Sequence, residues 1–153
     1  MRVLALLLMG LLGVGCQAPE ASPHSDEAHI REIFAAADAQ DLDGLDRYLT
    51  FVEEDVILMP HNQPTVHGKA AYRAHVVQGW ESGATTITHG LTAVDAFDDV
   101  VIARGTARGT FQPTGSPDLY AFETKNIFIF KRTESGGLSV WRVIFNMNPE
   151  DAS

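Results

Sequence analysis

Residues 119–147 read LYAFETKNIFIFKR-TESGG-LSVWRVIFNM. Two runs dense in Phe, Ile and Val flank Gly136-Gly137, and that pattern predicts a β-hairpin of two long strands. Nothing else in the chain is as apolar over such a length, so the core must form against it. Side chains alternate along a strand. Tyr120, Phe122, Asn126 and Phe128 therefore share one face, and Glu123, Lys125 and Ile127 the other. In the second run Trp141, Val143, Phe145 and Met147 oppose Val140, Arg142, Ile144 and Asn146. Both faces come out largely apolar. A sheet buried on both sides needs cover, and a second copy of the same sheet is the simplest, which predicts a homodimer.

Working upstream, the period of two continues. Residues 100–111 form a strand with Val101, Ala103, Gly105, Ala107, Gly109 and Phe111 on one side. Arg104, Thr106, Arg108 and Thr110 lie on the other. The small face leaves room for close helix packing or for an empty volume, and glycine in a strand often marks a close approach. Residues 85–95 precede it as another strand, with Asp98-Asp99 as the turn. Before that the period is helical. Tyr72, Val76 and Trp80 recur at every fourth residue over 69–81, a spacing that suits core packing. Thr65-Val66-His67 and Val56-Ile57-Leu58-Met59 read as short strands around a turn that contains Pro60 and Pro64. Ile30, Ile33, Phe34 and Ala37 give an earlier amphipathic helix with Asp38 on its polar side. Ser25 or Asp26 is its expected cap, and Asp41 begins a second, shorter helix.

The chain has 153 residues, 45% of them hydrophobic, enough for one domain with a core. Arg2 followed by the apolar run 3–14 resembles an export signal and is too short to span a membrane. The single cysteine, Cys16, cannot form an internal disulfide. Leu12-Gly13-Val14-Gly15-Cys16 resembles a bacterial lipobox, which implies lipidation of Cys16 and membrane attachment through that lipid. The expected organisation is a signal peptide over 1–15, a lipidated cysteine and flexible tether over 16–27, and one domain over 28–149. The domain would face the periplasm or the cell exterior. Removal of 1–15 takes away Arg2 and moves the formal net charge from -9 to -10. Such an acidic chain without a basic cluster argues against nucleic acid as a partner.

The ordered set Asp41-Leu42-Asp43-Gly44-Leu45, Glu54-Asp55-Val56-Ile57-Leu58-Met59-Pro60, Val66-His67-Gly68-Lys69, Lys125 and Trp141-Arg142-Val143 resembles the SnoaL-like branch of the nuclear transport factor 2-like superfamily. The resemblance implies an α+β cone, three amino-terminal helices packed in a curved, mostly antiparallel sheet. It also implies a pocket inside the cone, in a superfamily that includes ketosteroid isomerase, scytalone dehydratase and polyketide cyclases. Fold alone does not set activity there.

The polar groups expected to orient a small, partly apolar ligand are His89, Asn126 and Asn146, with Lys125 as a further candidate. Tyr72 and Trp80 supply apolar wall. The acidic residue that SnoaL-like proteins often carry near the end of the last strand corresponds to Asn146, and an amide cannot accept and return a proton. That favours a ligand-binding module over the alternative, an isomerase, dehydratase or cyclase with His89 or His75 as proton carrier. His61, His67 and His75 match no metal spacing, and no G-x-S-x-G turn or phosphate-binding glycine loop occurs, so neither metal nor cofactor is expected.

Overall fold

A computed structural model describes residues 23–148; the export signal and Cys16 lie outside them. Helix α1 spans Pro23–Asp38 and α2 Leu42–Thr50. Strand β1 (Val52–Met59) and the short β2 (Val66–His67) precede helix α3 (Lys69–Ser82). Four long strands follow: β3 (Gly83–Ala96), β4 (Val100–Pro113), β5 (Tyr120–Arg132) and β6 (Leu138–Met147). They form one sheet in the order β2-β1-β6-β5-β4-β3, with β1 parallel to β6 and the other neighbours antiparallel. Three helices against a curved sheet make the expected α+β cone.

The β5–β6 hairpin turns where the glycine pair predicts. Gly136 has φ +82°, a conformation that glycine adopts without steric cost, and its N–H donates to the Thr133 carbonyl at 2.9 Å. Phe128 and Phe130 of β5 are buried beneath α1, whose Ile30 and Ile33 are fully enclosed. Three register shifts interrupt the sheet: β1 slips against β6 between Val52 and Ile57, and two single-residue bulges lie in β3 and β6. Thr92 is the extra residue of β3, between Leu91 and Ala93. Trp141 is the extra residue of β6, because Phe130 pairs with Val140 while Ile129 pairs with Arg142. The second bulge breaks the strict alternation read from the sequence. Val140 and Val143 both end up in the core, three residues apart. On the outer face of the hairpin Ile127, Ile129 and Ile144 lie among Lys125, Arg142 and Asn146, and the Trp141 ring lies under the Lys131 and Arg142 cations.

Helix α1 starts earlier than residue 28, taking up the end of the expected tether. The described part of the helix begins at Pro23. Asp26 thus lies inside the first turn instead of capping it. It is 2% exposed, and the Arg132 guanidinium donates to both its oxygens, at 2.9 and 2.8 Å. The same hydrogen bonds raise the Arg132 pKa. Arg132 closes β5 and also donates to the Phe97 carbonyl in the β3–β4 turn, at 3.4 Å. One partly buried ion pair, its carboxylate enclosed and its guanidinium 19% exposed, therefore joins the first turn of α1, the end of β5 and a turn of the sheet. Removing one partner of such a pair strands the other charge. Asp26→Ala is expected to destabilise the domain by about 3 kcal/mol in urea unfolding. Asp26→Ala combined with Arg132→Met should recover much of that loss; equal losses in the single and double variants would contradict the account.

Candidate functional site

The concave face of the sheet does not close on the helices. A cavity of ≈310 Å³ lies between α2, α3 and the end of α1 on one side and β3 to β6 on the other. That is at the small end of the range for ligand pockets. Its floor follows the strand register. His89 pairs with Ala107, and Ala107 with Thr124, so one row across three strands presents imidazole, methyl and hydroxyl. The small face of β4 thus serves two purposes. Ala103 is covered by the core, and Ala107 opens into the cavity. At Gly109, a Cβ would run into the Thr86 backbone carbonyl of the neighbouring strand and would also meet the Phe122 ring at 2.9 Å, so glycine admits both the close strand approach and the ring that joins the wall.

His89 enters the cavity in a fixed orientation. Asp38, the last residue of α1, receives its ring Nδ1 at 2.6 Å and its backbone N–H at 3.1 and 3.2 Å. A carboxylate can only accept, so Nδ1 carries a proton and Nε2 of the neutral ring holds a lone pair. Nε2 makes no hydrogen bond among the described residues. The ring lies 5.2 Å from that of Phe34 and 5.8 Å from that of Phe128, which fix its plane.

Asn126 is the second oriented group. The backbone N–H of Ala107 donates to the Thr124 hydroxyl at 3.2 Å, and that hydroxyl donates to Asn126 Oδ1 at 2.6 Å. The amide is thereby set with Oδ1 toward Thr124, and its Nδ2 donor makes no hydrogen bond among the described residues. Asn126 is 5% exposed and lines the cavity.

Tyr48 and Tyr72 meet across α2 and α3 with their hydroxyls 3.2 Å apart. One proton serves that bond, which leaves the other hydroxyl able to donate elsewhere. Burial raises the pKa of both, and for Tyr48 the neighbouring Tyr72 adds to it. Trp80 donates from Nε1 to Gln40 at 3.1 Å, which holds the indole as wall. His75 lines the cavity from α3, half-buried and without a hydrogen bond or ion pair among the described residues. No Lys, Arg, Asp or Glu belongs to the described lining.

Of the residues expected from the sequence, Tyr72, Trp80, His89 and Asn126 line this cavity. Lys125 and Asn146 do not. They pair with each other across β5 and β6 and are exposed on the outer face. The alternation that turns Asn126 and Phe145 inward turns their neighbours outward. Asp38, Tyr48, Gln40 and Thr124 were not anticipated. For Asp38 a signal existed: it follows Ile30 and Phe34 at intervals of four, on the buried stripe of α1 and not on its polar side.

The model of the SnoaL-like domain matches residues 30–139. The chain belongs to the SnoaL-like domain family. Among solved structures, a ketosteroid isomerase-like protein from Erwinia carotovora atroseptica is similar with TM-score 0.72 and 15% identity, over 82% of this chain and 95% of that one. A candidate scytalone dehydratase from Novosphingobium aromaticivorans is similar with TM-score 0.67 and 12% identity, over 80% and 84%. A protein from Catenulispora acidiphila, solved in complex with S-DNPA, is similar with TM-score 0.63 and 13% identity, over 81% and 92%. No curated protein matches the chain. At these identities the likeness fixes the SnoaL-like fold and leaves the chemistry to the cavity.

The tyrosine pair gives this SnoaL-like domain a measurable alkaline signature. Its folded pKa values are raised above the unfolded value of about 10. The stabilisation is therefore complete below about pH 10 and is lost as pH rises through the folded values. Spectrophotometric titration should show two of the three tyrosines ionising late and together with unfolding. Ionisation of all three as free tyrosine, with the native circular dichroism retained, would contradict a buried pair.

Proposed function

We propose that the domain binds a small, neutral, largely apolar carbonyl compound in the cavity and moves a proton on it, chemistry of the isomerase or dehydratase type. The observation that carries this reading is the Asp38–His89 couple, with Nε2 unengaged among the described residues and the ring lining the cavity. Nε2 takes a proton from the carbon beside the carbonyl. The imidazolium that forms is held by Asp38, and the charge arriving on the carbonyl oxygen meets a donor in Asn126 Nδ2. The uncharged lining disfavours an anionic or cationic ligand, which would lose its hydration without gaining a counter-charge. A module that only binds would need the same walls, but it would have no need of a base with its tautomer fixed. Asn146, which argued for binding alone, lies outside the cavity and so does not bear on the choice.

The test is deuterium uptake from D2O into a panel of small neutral ketones, followed by NMR, with ligand binding read from Trp80 fluorescence. Wild type should catalyse uptake. His89→Gln should lower the rate by about 100-fold or more while the ketones still bind. Ketones that bind without any uptake would leave the domain a binder.

We also propose export and lipidation at Cys16, supported by the apolar run 3–14 and the small residues before the cysteine. Cys16→Ser should move the protein from the membrane fraction to the soluble one. A wild-type protein that is soluble and still carries residues 1–15 would exclude this.

A further inference from the structure

The two ends of α1 face opposite ends of the domain. Its first turns are fastened to the end that holds the β3–β4 and β5–β6 turns. Asp26 accepts from Arg132, which closes β5 and whose backbone N–H donates to the Asp99 carbonyl at 3.0 Å. His29 Nδ1 accepts the Leu138 backbone N–H at 3.1 Å, and Gly137 makes room for it, since a Cβ there would stand 3.0 Å from the ring Cε1. The last turn of α1 lies at the other end, where Ala37 and, just beyond the helix, Ala39 and Gln40 line the cavity. The cavity opens at that end. Met147, the last residue of β6, lines it and is 42% exposed, whereas Phe128 closes it on the inner side and is 3% exposed. Tyr120, exposed at the start of β5, carries the apolar wall of Phe122 outward past the opening.

We infer that in the lipidated protein the cavity opens away from the membrane, so that the domain takes its neutral ligand from the aqueous phase and not from the bilayer. This rests on lipidation of Cys16, proposed above. Cys16 stands seven residues before Pro23, and seven residues reach at most roughly 25 Å at full extension. The 16 residues of α1 are themselves roughly 24 Å long. An anchor at Cys16 therefore holds the Asp26–Arg132 end beside the bilayer. Bringing the opening down to the lipid would require residues 17–22 to run back along the whole of α1 at full stretch, with no length to spare. Charge acts in the same sense. Asp98, Asp99 and Glu134 are exposed in the two turns at the anchored end and form no ion pair among the described residues. Anionic headgroups repel them within about 8–10 Å, which keeps that end from sinking into the surface and the domain from being drawn flat onto it. An apolar cavity on an anchored chain suggests a lipid-borne ligand, and the direction of α1 turns it toward water instead.

The test uses the full chain with Trp141→Phe, which leaves Trp80, in the wall near the opening, as the one tryptophan. The lipidated protein is floated with vesicles of phosphatidylcholine and phosphatidylglycerol, made with and without brominated acyl chains that quench only nearby fluorophores. Trp80 emission should be the same on both kinds of vesicle. Acrylamide added to the water should quench it as strongly as it quenches the soluble form carrying Cys16→Ser as well. Loss of emission to the brominated lipid, or protection from acrylamide on the vesicles, overturns the inference while lipidation stands. A chain that does not float with the vesicles overturns lipidation and the inference together. Native circular dichroism checks the fold of Trp141→Phe, and Trp141→Tyr takes its place in the same measurement if that signal is lost.

Discussion

The bond between Asp38 and His89 is the constraint on which both the shape of this domain and its proposed chemistry depend. A carboxylate at the last residue of a helix sits where the helix field is negative, which costs about 0.3–1 kcal/mol when nothing offsets it. Here the backbone and ring N–H groups of His89 offset it, and hydrogen bonds to an ionised acceptor are among the stronger ones. The same contact holds the end of α1 against β3, the strand at the sheet's edge. It also brings Phe34 into contact with His89 and Phe128, so the aromatic packing and the imidazole orientation arise together. An apolar residue at position 38 would let α1 pack but would leave the His89 tautomer undefined.

A second constraint keeps the interior open. Protein cores pack to the density of organic crystals, so a cavity of ≈310 Å³ must be protected from collapse. The large side chains around it are held by polar bonds that would be lost if they swung inward. Gln40 holds Trp80, Tyr48 holds Tyr72, and Thr124 holds Asn126. Opposite them the floor is a methyl group, Ala107, where any larger residue would fill the space. Size at one strand position and hydrogen bonds at three others are thus parts of one device.

Most of the fold was legible because periodicity reports which side of an element faces the core. The change from a helical period to alternation after residue 83, the glycine turn and the small face of β4 all have their counterparts in the sequence. The site was legible in part, for a related reason. Alternation placed His89 and Asn126 inward, and the spacing of four placed Tyr72 and Trp80 together. It could not show that Asp38 meets His89, because that contact joins residues 51 apart through a tertiary approach with no local signal. Only Asn146 corresponds to a family site position, and alternation points both Lys125 and Asn146 away from Phe128 and Phe145. Trp141 shows the limit of alternation itself. One bulge shifts the phase, and a bulge in the middle of a strand leaves little trace in composition.

The electrostatics of the cavity, taken as a whole, decide what it can hold. Its described lining has no charged side chain, and the carboxylate of Asp38 stands behind the imidazole instead of facing the ligand. A neutral ligand enters without placing an unpaired charge in apolar surroundings. In the proposed reaction, where His89 takes a proton from it, a cation and an anion appear together, each beside a group suited to it: Asp38 for the imidazolium, the Asn126 amide for the oxygen. An anionic ligand would instead face the Asp38 carboxylate through a neutral ring, with no cation in the lining to balance it. An uncharged lining backed by one carboxylate thus meets the electrostatic requirement of the proposed carbon-acid chemistry, the formation of a separated pair of charges from a neutral molecule.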